Sequence, residues 1–269
     1  MTTPSYRNFT GTAAETYQRH FVPAIAIPVS AGLLEIARLQ PGERVLDVAC
    51  GPGVVTRRAA EQVGPTGSVT GIDLAPDMID VAKATEGPAG AHIEWHVADA
   101  TSLPLPDASY DVVLCQMGLM FMEDRTAALA EMRRVLTPGG RIALNTPGKI
   151  QPAFEVMEEA IVAHISPELG GFVRAVFSIH DPDTLASLLR AAGFENVTAD
   201  VYRATLRLPS PVEFLWQYIN LTPMGPFVAQ APEEAQAAME RQAVEGWQPY
   251  TVDGRLRVEQ PMVVAAGRR

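Results

Sequence analysis

The sequence is short of positive charge: 21 lysines and arginines stand against 31 aspartates and glutamates, a formal net charge of -10. With no cationic surplus to neutralise phosphates by counterion release, nucleic acid is excluded as the expected partner. Cysteine is scarce as well. Cys50 and Cys115 are too few for a disulfide framework and match no zinc spacing, so reduced thiols and no metal site are expected. Long apolar runs are also missing. The longest, Phe21 to Leu34, is interrupted by Pro23, Pro28 and Ser30, and Met1-Thr2-Thr3-Pro4 lacks the basic region and apolar core of an export signal. No membrane span and a cytoplasmic location are expected. There is no internal repeat, and the composition leaves the oligomeric state open.

What is present is the balance of a folded enzyme: 47% hydrophobic and 19% charged residues over 269 positions, enough for one α/β domain spanning 1–269. Between residues 43 and 146, β-rich runs alternate with helical runs, which predicts a parallel sheet with crossover helices. The strands are placed at 44–49, 68–73, 92–99, 111–116 and 141–146. Helices are placed at 54–63, 76–85 and 124–136, the first two closed by Gly64 and Gly87. Asp181-Pro182-Asp183 supplies a cap, a first-turn proline and an acid for a helix whose apolar stripe is Leu185, Leu188 and Leu189. Long strands at 196–208 and 256–266 then read as an antiparallel pair closing the sheet edge.

Three segments fall outside this scheme: an N-terminal helical lid at 1–40, and acceptor-lid insertions at 147–180 and 209–253, around a cofactor-binding core at 41–146. Of 18 aromatic residues, only Trp95, Tyr110 and Phe121 lie in 41–150. A pocket for a small-molecule acceptor, lined by large apolar side chains from the added segments, is therefore expected. The competing expectation for each aromatic is plain packing on the sheet.

The chemistry concentrates where strands end. Asp47 is followed by Ala49, Gly51 and Gly53 and then by a helix, small residues where a ligand must approach the backbone. A nicotinamide-type fingerprint needs a third glycine that Gly51-Pro52-Gly53-Val54-Val55-Thr56 lacks. Asp73, ending the second strand, can accept from both hydroxyls of a ribose. Asp99, ending the third, can accept from an exocyclic adenine amine while the next N–H, that of Ala100, donates to the ring. Three acids at three successive strand ends form one rim on the carboxyl edge of the sheet. A lone aspartate at any of these places would be read as a turn or cap residue.

These residues, with Val69-Thr70-Gly71-Ile72-Asp73, Tyr110-Asp111-Val112-Val113, Cys115-Gln116-Met117-Gly118-Leu119 and Arg134-Val135-Leu136-Thr137-Pro138-Gly139-Gly140, resemble the class I S-adenosylmethionine-dependent methyltransferases, particularly their small-molecule ubiquinone/menaquinone-type branch. The resemblance covers residues 43–146 in order. It implies a Rossmann-like, doubly wound, mostly parallel seven-stranded sheet with an antiparallel edge strand and helical lids. It also implies S-adenosylmethionine as cofactor, with the Gly51 backbone on its methionine part, Asp47 near the ammonium and Asp73 on the ribose. Leu74 and Met78 would flank the adenine, Asp99 and Ala100 would read its edge, and the backbone of Cys115 and Gln116 would border the ammonium and methyl. Ala49 departs from the family, which has a glycine there.

No catalytic base stands out. His20, His164 and His180 lie in the lids, where a base could reach an acceptor, and Tyr17 could cover the cofactor. Cys50 and Cys115 read as small hydrophobes. Two rival readings stay open, a catalytically inactive cofactor-binding module and a nicotinamide-dependent oxidoreductase.

Overall fold

Val45-Leu46 and Val112-Val113-Leu114 are apolar on both faces, as strands covered by helices on both sides must be. In the computed structural model of the protein, which describes residues 13–87 and 89–269, they sit fully buried at the centre of a sheet. The strands are β1 (Arg44–Val48), β2 (Ser68–Asp73), β3 (His92–Val97), β4 (Tyr110–Gln116), β5 (Leu136–Pro147), β6 (Glu195–Arg207), β7 (Thr251–Val252) and β8 (Arg255–Arg268). Their order is β3-β2-β1-β4-β5-β8-β6, with β1 to β5 parallel. β8 runs against both β5 and β6. The predicted pair is thus at the edge, but the reversed strand lies one place inside it and the outermost strand, β6, runs with the rest. β7 is a two-residue hairpin onto β8 through Asp253-Gly254, both at positive φ, as a tight hairpin turn demands.

The helices are α1 (Ala13–Ala37), α2 (Val54–Val63), α3 (Pro76–Ala84), α4 (Arg125–Val135), α5 (Pro152–His164), α6 (Pro167–Val176), α7 (Pro182–Ala191), α8 (Pro211–Asn220), α9 (Gly225–Val228) and α10 (Glu233–Gly246). Asp124 and Asp181 cap α4 and α7, accepting from Ala127 N (2.9 Å) and Thr184 N (2.8 Å). Among the insertion helices, Trp247 is fully buried and donates its indole N–H to Ala153 O at 2.6 Å, tying the end of α10 to α5.

The prolines of the first segment do not interrupt it. Pro23 removes an N–H and crowds the carbonyl one turn back, and the helix answers by widening to π geometry over Tyr17–Ala26, with Ile27 N–H reaching Val22 O. The result is one continuous helix, the one among the described residues long and apolar enough to cross a membrane, contrary to the expectation from its prolines; half of its most apolar window is buried inside the fold. Val29, Leu33 and Ala37 are covered, and the helix packs on β4, β5, β6 and β8. Gly32 makes the approach possible, since a Cβ there would lie 2.6 Å from the Tyr202 ring. Residues 1–12 of the expected lid lie outside the described residues.

Candidate active site

β1 has β2 on one side and β4 on the other, so the order of connection reverses there, and a crevice opens at the carboxyl ends of those strands. The register sets Asp47 beside Gly71 and Asp73 beside Val97, bringing the acids of successive strands to one rim. Past Val48 the chain turns through left-handed backbone at Ala49 (φ 57°), Gly51 (φ 54°) and Gly53 (φ 86°) before α2 begins. Gly53 also has no room for a side chain, because a Cβ would lie 2.2 Å from the Trp95 ring, whose face carries the Arg57 guanidinium at 5.6 Å. At Gly51 nothing lies within 4 Å of where a Cβ would be, so its backbone is open to a ligand.

Ala49 occupies a left-handed position that favours glycine. Its methyl fits because the residue facing it is Gly118, where an added Cβ would sit 2.6 Å from Ala49 Cβ.

The carboxylates are held differently. Asp73 Oδ2 accepts from Gly51 N (2.8 Å) and Oδ1 from Ala75 N (2.9 Å), so this acid shapes the loop as well as facing the crevice. Asp47 is fully buried. Its Oδ2 accepts from Thr56 Oγ1 (2.6 Å), while Oδ1 has no partner. Burial above all, opposed by the Thr56 bond and reinforced by Asp73, pushes Asp47 up to about 7. Asp99 Oδ1 accepts from Thr101 N (2.9 Å) and Thr101 Oγ1 (2.7 Å), shaping its own turn at the rim, with Ala100 half-buried beside it. Leu74 is 39% exposed at the rim, whereas Met78 is buried against Ala14 and Ala75.

A cavity of about 30 Å³ is walled by Tyr17, Phe21, Asp47, Ala49, Gly51 and Gln116, among others. Gln116 donates to Ala26 O at 3.2 Å, and its Oε1, like Asp47 Oδ1, is buried without a partner. Two orphan acceptors at one cavity wall call for a ligand rich in donors and carrying positive charge. Neither Asp47 nor Asp73 forms an ion pair among the described residues, so a positively charged ligand group would find uncompensated carboxyl groups there.

A second apolar cavity, also about 30 Å³, shares Phe21 and Met117 with the first and is walled by Phe154, Phe177, Tyr218 and Gln260. Part of the aromatic surplus of the insertions lines this space and part packs, with Phe214 and Trp247 behind the wall, 5.6 Å between ring centroids. Asn145 holds the wall in place, accepting from Met117 N (3.1 Å) and donating to Val29 O (2.8 Å) of α1. Asn145 and Gln260 were not singled out from the sequence: Asn145 closes the apolar run Ile142-Ala143-Leu144, and Gln260 follows Glu259 in a strand with several polar residues.

The candidate bases scatter. His164 Nε2 lies 2.8 Å from Gln242 Oε1, exposed His180 has Nδ1 2.9 Å from Phe177 O, and His20 sits half-buried on α1; none of them lines either cavity. Tyr17 does line the first cavity, stacked on Phe21 at 4.4 Å, and burial, then Asp73, pushes its hydroxyl well above the usual range, so it stays a neutral phenol. Burial likewise pushes up the Cys50 and Cys115 thiols, the latter to about 12, which removes both as nucleophiles.

A family profile described as a methyltransferase domain matches residues 45–140. The chain is 36% identical over 165 residues to a demethylmenaquinone methyltransferase of Deinococcus radiodurans, across 57% of this chain and 68% of that one. It is 30% identical over 256 residues to a nocamycin O-methyltransferase of Saccharothrix syringae, across 90% of each. The chain belongs to the S-adenosylmethionine-dependent methyltransferases. The phosphoethanolamine N-methyltransferase 2 of Haemonchus contortus, solved with S-adenosyl-L-methionine, shares the fold at a TM-score of 0.59 and 17% identity, over 97% of this chain and 57% of that one. So does the [4+2]-cyclase SpnF, at 0.52 and 20%, over 90% and 80%. The fold alone therefore does not fix the chemistry. The family shows more: this methyltransferase is an enzyme that uses S-adenosylmethionine to methylate a small molecule.

Proposed function

We propose that this methyltransferase transfers the methyl group to a small, apolar or aromatic metabolite held between Phe154, Phe177 and Tyr218, whose cavity of about 30 Å³ has room for only one or two waters and so widens as the acceptor enters. The observation that carries the reading is the shared wall: Phe21 and Met117 border both this cavity and the one bordered by Asp47, Gly51 and Gln116. In this reading Asp47 and the Gln116 amide oxygen hold the methionine ammonium, Asp73 the ribose hydroxyls, and Asp99 with the Ala100 N–H the adenine edge, Leu74 and Tyr17 covering the ligand. When bound, S-adenosylmethionine supplies a methyl carbon already activated by its sulfonium. The protein then has to align two partners and exclude water, and such alignment is worth on the order of 7–11 kcal/mol in favourable systems. Among the described residues the one ionisable side chain lining the second cavity is Tyr218, which burial pushes up to about 12, and an acceptor that reacts without a dedicated protein base suits such a wall. The core at 41–146 with its lids acts as a single cytoplasmic unit.

The test is incubation with methyl-labelled cofactor and a metabolite extract, followed by mass spectrometry. Labelled apolar products are expected. Cofactor binding with no labelled product across the extract would instead establish a catalytically inactive module, and labelled products confined to charged, polar compounds would overturn the acceptor class.

A further inference from the structure

The apolar cavity contains one polar group that the fold leaves unused. Gln260, on β8, is 3% exposed and lines the cavity. Its Nε2 donates to Pro261 O at 2.7 Å, and its Oε1 is buried with no partner. The orientation of the amide is fixed by chemistry. A backbone carbonyl only accepts, so the NH₂ must face Pro261 and the oxygen must face away from it. Around it the walls include Phe21, Phe154, Phe177, Leu206 and Met262, which cannot donate a hydrogen bond, and Tyr218, whose hydroxyl can donate but does not reach Gln260 Oε1. A buried amide oxygen without a donor is costly, and fold packing alone would favour an apolar residue among such neighbours.

We infer that Gln260 is a specificity-determining residue that accepts a hydrogen bond from a hydroxyl or N–H substituent on an otherwise apolar acceptor. The inference rests on the reading of this cavity as the acceptor site and names the substrate class within it. An apolar wall separates ligands differing by a methylene only about 10–200-fold, whereas a buried polar group left unpaired rejects the analogue lacking its partner far more strongly. Gln260 supplies that second kind of selection. It positions the acceptor and takes no proton, since an amide oxygen is too weak a base.

Two isosteric probes test this, 2-naphthol and 2-methylnaphthalene, titrated into the full-length protein loaded with S-adenosylhomocysteine and followed by ligand-observed NMR. The wild type should bind the naphthol at least ten-fold more tightly. Gln260→Met, which keeps the side-chain length, should bring the two affinities within about two-fold of each other, chiefly by weakening the naphthol. Phe154→Ala should weaken both probes alike. Equal affinities in the wild type would overturn the role of Gln260 while leaving an apolar acceptor cavity in place, and this comparison holds whether or not the variant folds. If neither probe binds, or if Phe154→Ala changes neither, the cavity is not the acceptor site and the inference falls with it.

Discussion

Asp47→Asn separates what the site costs the fold from what it does for the ligand. In the ligand-free protein Asp47 ionises at about 7 instead of 3.8. Three units at about 1.4 kcal/mol each make the buried carboxylate destabilising by about 4 kcal/mol once the pH is well above 7. Because the folded-state pKa is the higher one, the native protein keeps a proton that the unfolded chain has lost. Stability from this group is therefore intact below about pH 4, falls as the pH rises, and is gone above 7; between pH 5 and pH 8 the loss is about 2.5 kcal/mol. Asparagine cannot ionise and can still accept from Thr56 Oγ1, but it places an N–H where Oδ1 had no partner, at about 1–3 kcal/mol. At pH 8 the variant should be more stable than wild type by about 1–3 kcal/mol, and at pH 5 the gain should shrink to nearly nothing. Adenosylmethionine affinity should fall about 10–100-fold, the worth of one charge-assisted hydrogen bond. Urea denaturation of the ligand-free protein at both pH values, with calorimetric titration of the cofactor at pH 8, reads out both effects. A stability difference that does not change with pH would refute ionisation near 7, and an unchanged affinity would refute the ammonium assignment.

Asp73→Asn and Asp73→Ala should each lower adenosylmethionine affinity by about 10–100-fold by calorimetry and each destabilise the fold by about 1–3 kcal/mol, because asparagine has one acceptor oxygen for the two N–H groups of Gly51 and Ala75 and alanine has none. Unchanged melting temperatures in both variants would contradict the loop-shaping role. Gly118→Ala should destabilise by about 1–3 kcal/mol through the 2.6 Å clash with Ala49. Ala49→Gly should be neutral or stabilising by itself and should rescue Gly118→Ala in part, since Cys115 Sγ at 3.0 Å still crowds the new Cβ; additive effects in that double-mutant cycle would mean the two residues do not share the space.

How much of this was legible before the structure depended on whether the information was local. The strand-end acids could be found because each sits at a fixed offset from an apolar run and a glycine, and parallel register then forces them to one edge. The order of the last strands could not, because a pattern of alternation marks Glu195–Arg207 and Arg255–Arg268 as strands without saying which one slots beside β5. The first helix misled for a related reason. Proline is a local signal for interruption, but a covered helix can absorb it by a change of hydrogen-bond register, and what keeps α1 continuous is packing against strands more than 70 residues away, through Tyr202 on Gly32 and Asn145 on Val29.

The same contrast explains Ala49 and Gln260. Judged in its own loop, Ala49 is out of place at a left-handed position, and only the three-dimensional neighbour Gly118 shows that its methyl has room. Gln260 in its own strand is one polar residue among many, and it becomes informative when its buried Oε1 proves to have no donor among mostly apolar walls. Both cases turn on what is missing around a residue, a facing side chain in one and a hydrogen-bond donor in the other. The proposed cofactor site, built on backbone turns and strand ends, is legible in spacing, while the proposed acceptor selection, built from side chains of α1, α5, α8 and β8 that meet only in the fold, shows only in unsatisfied groups.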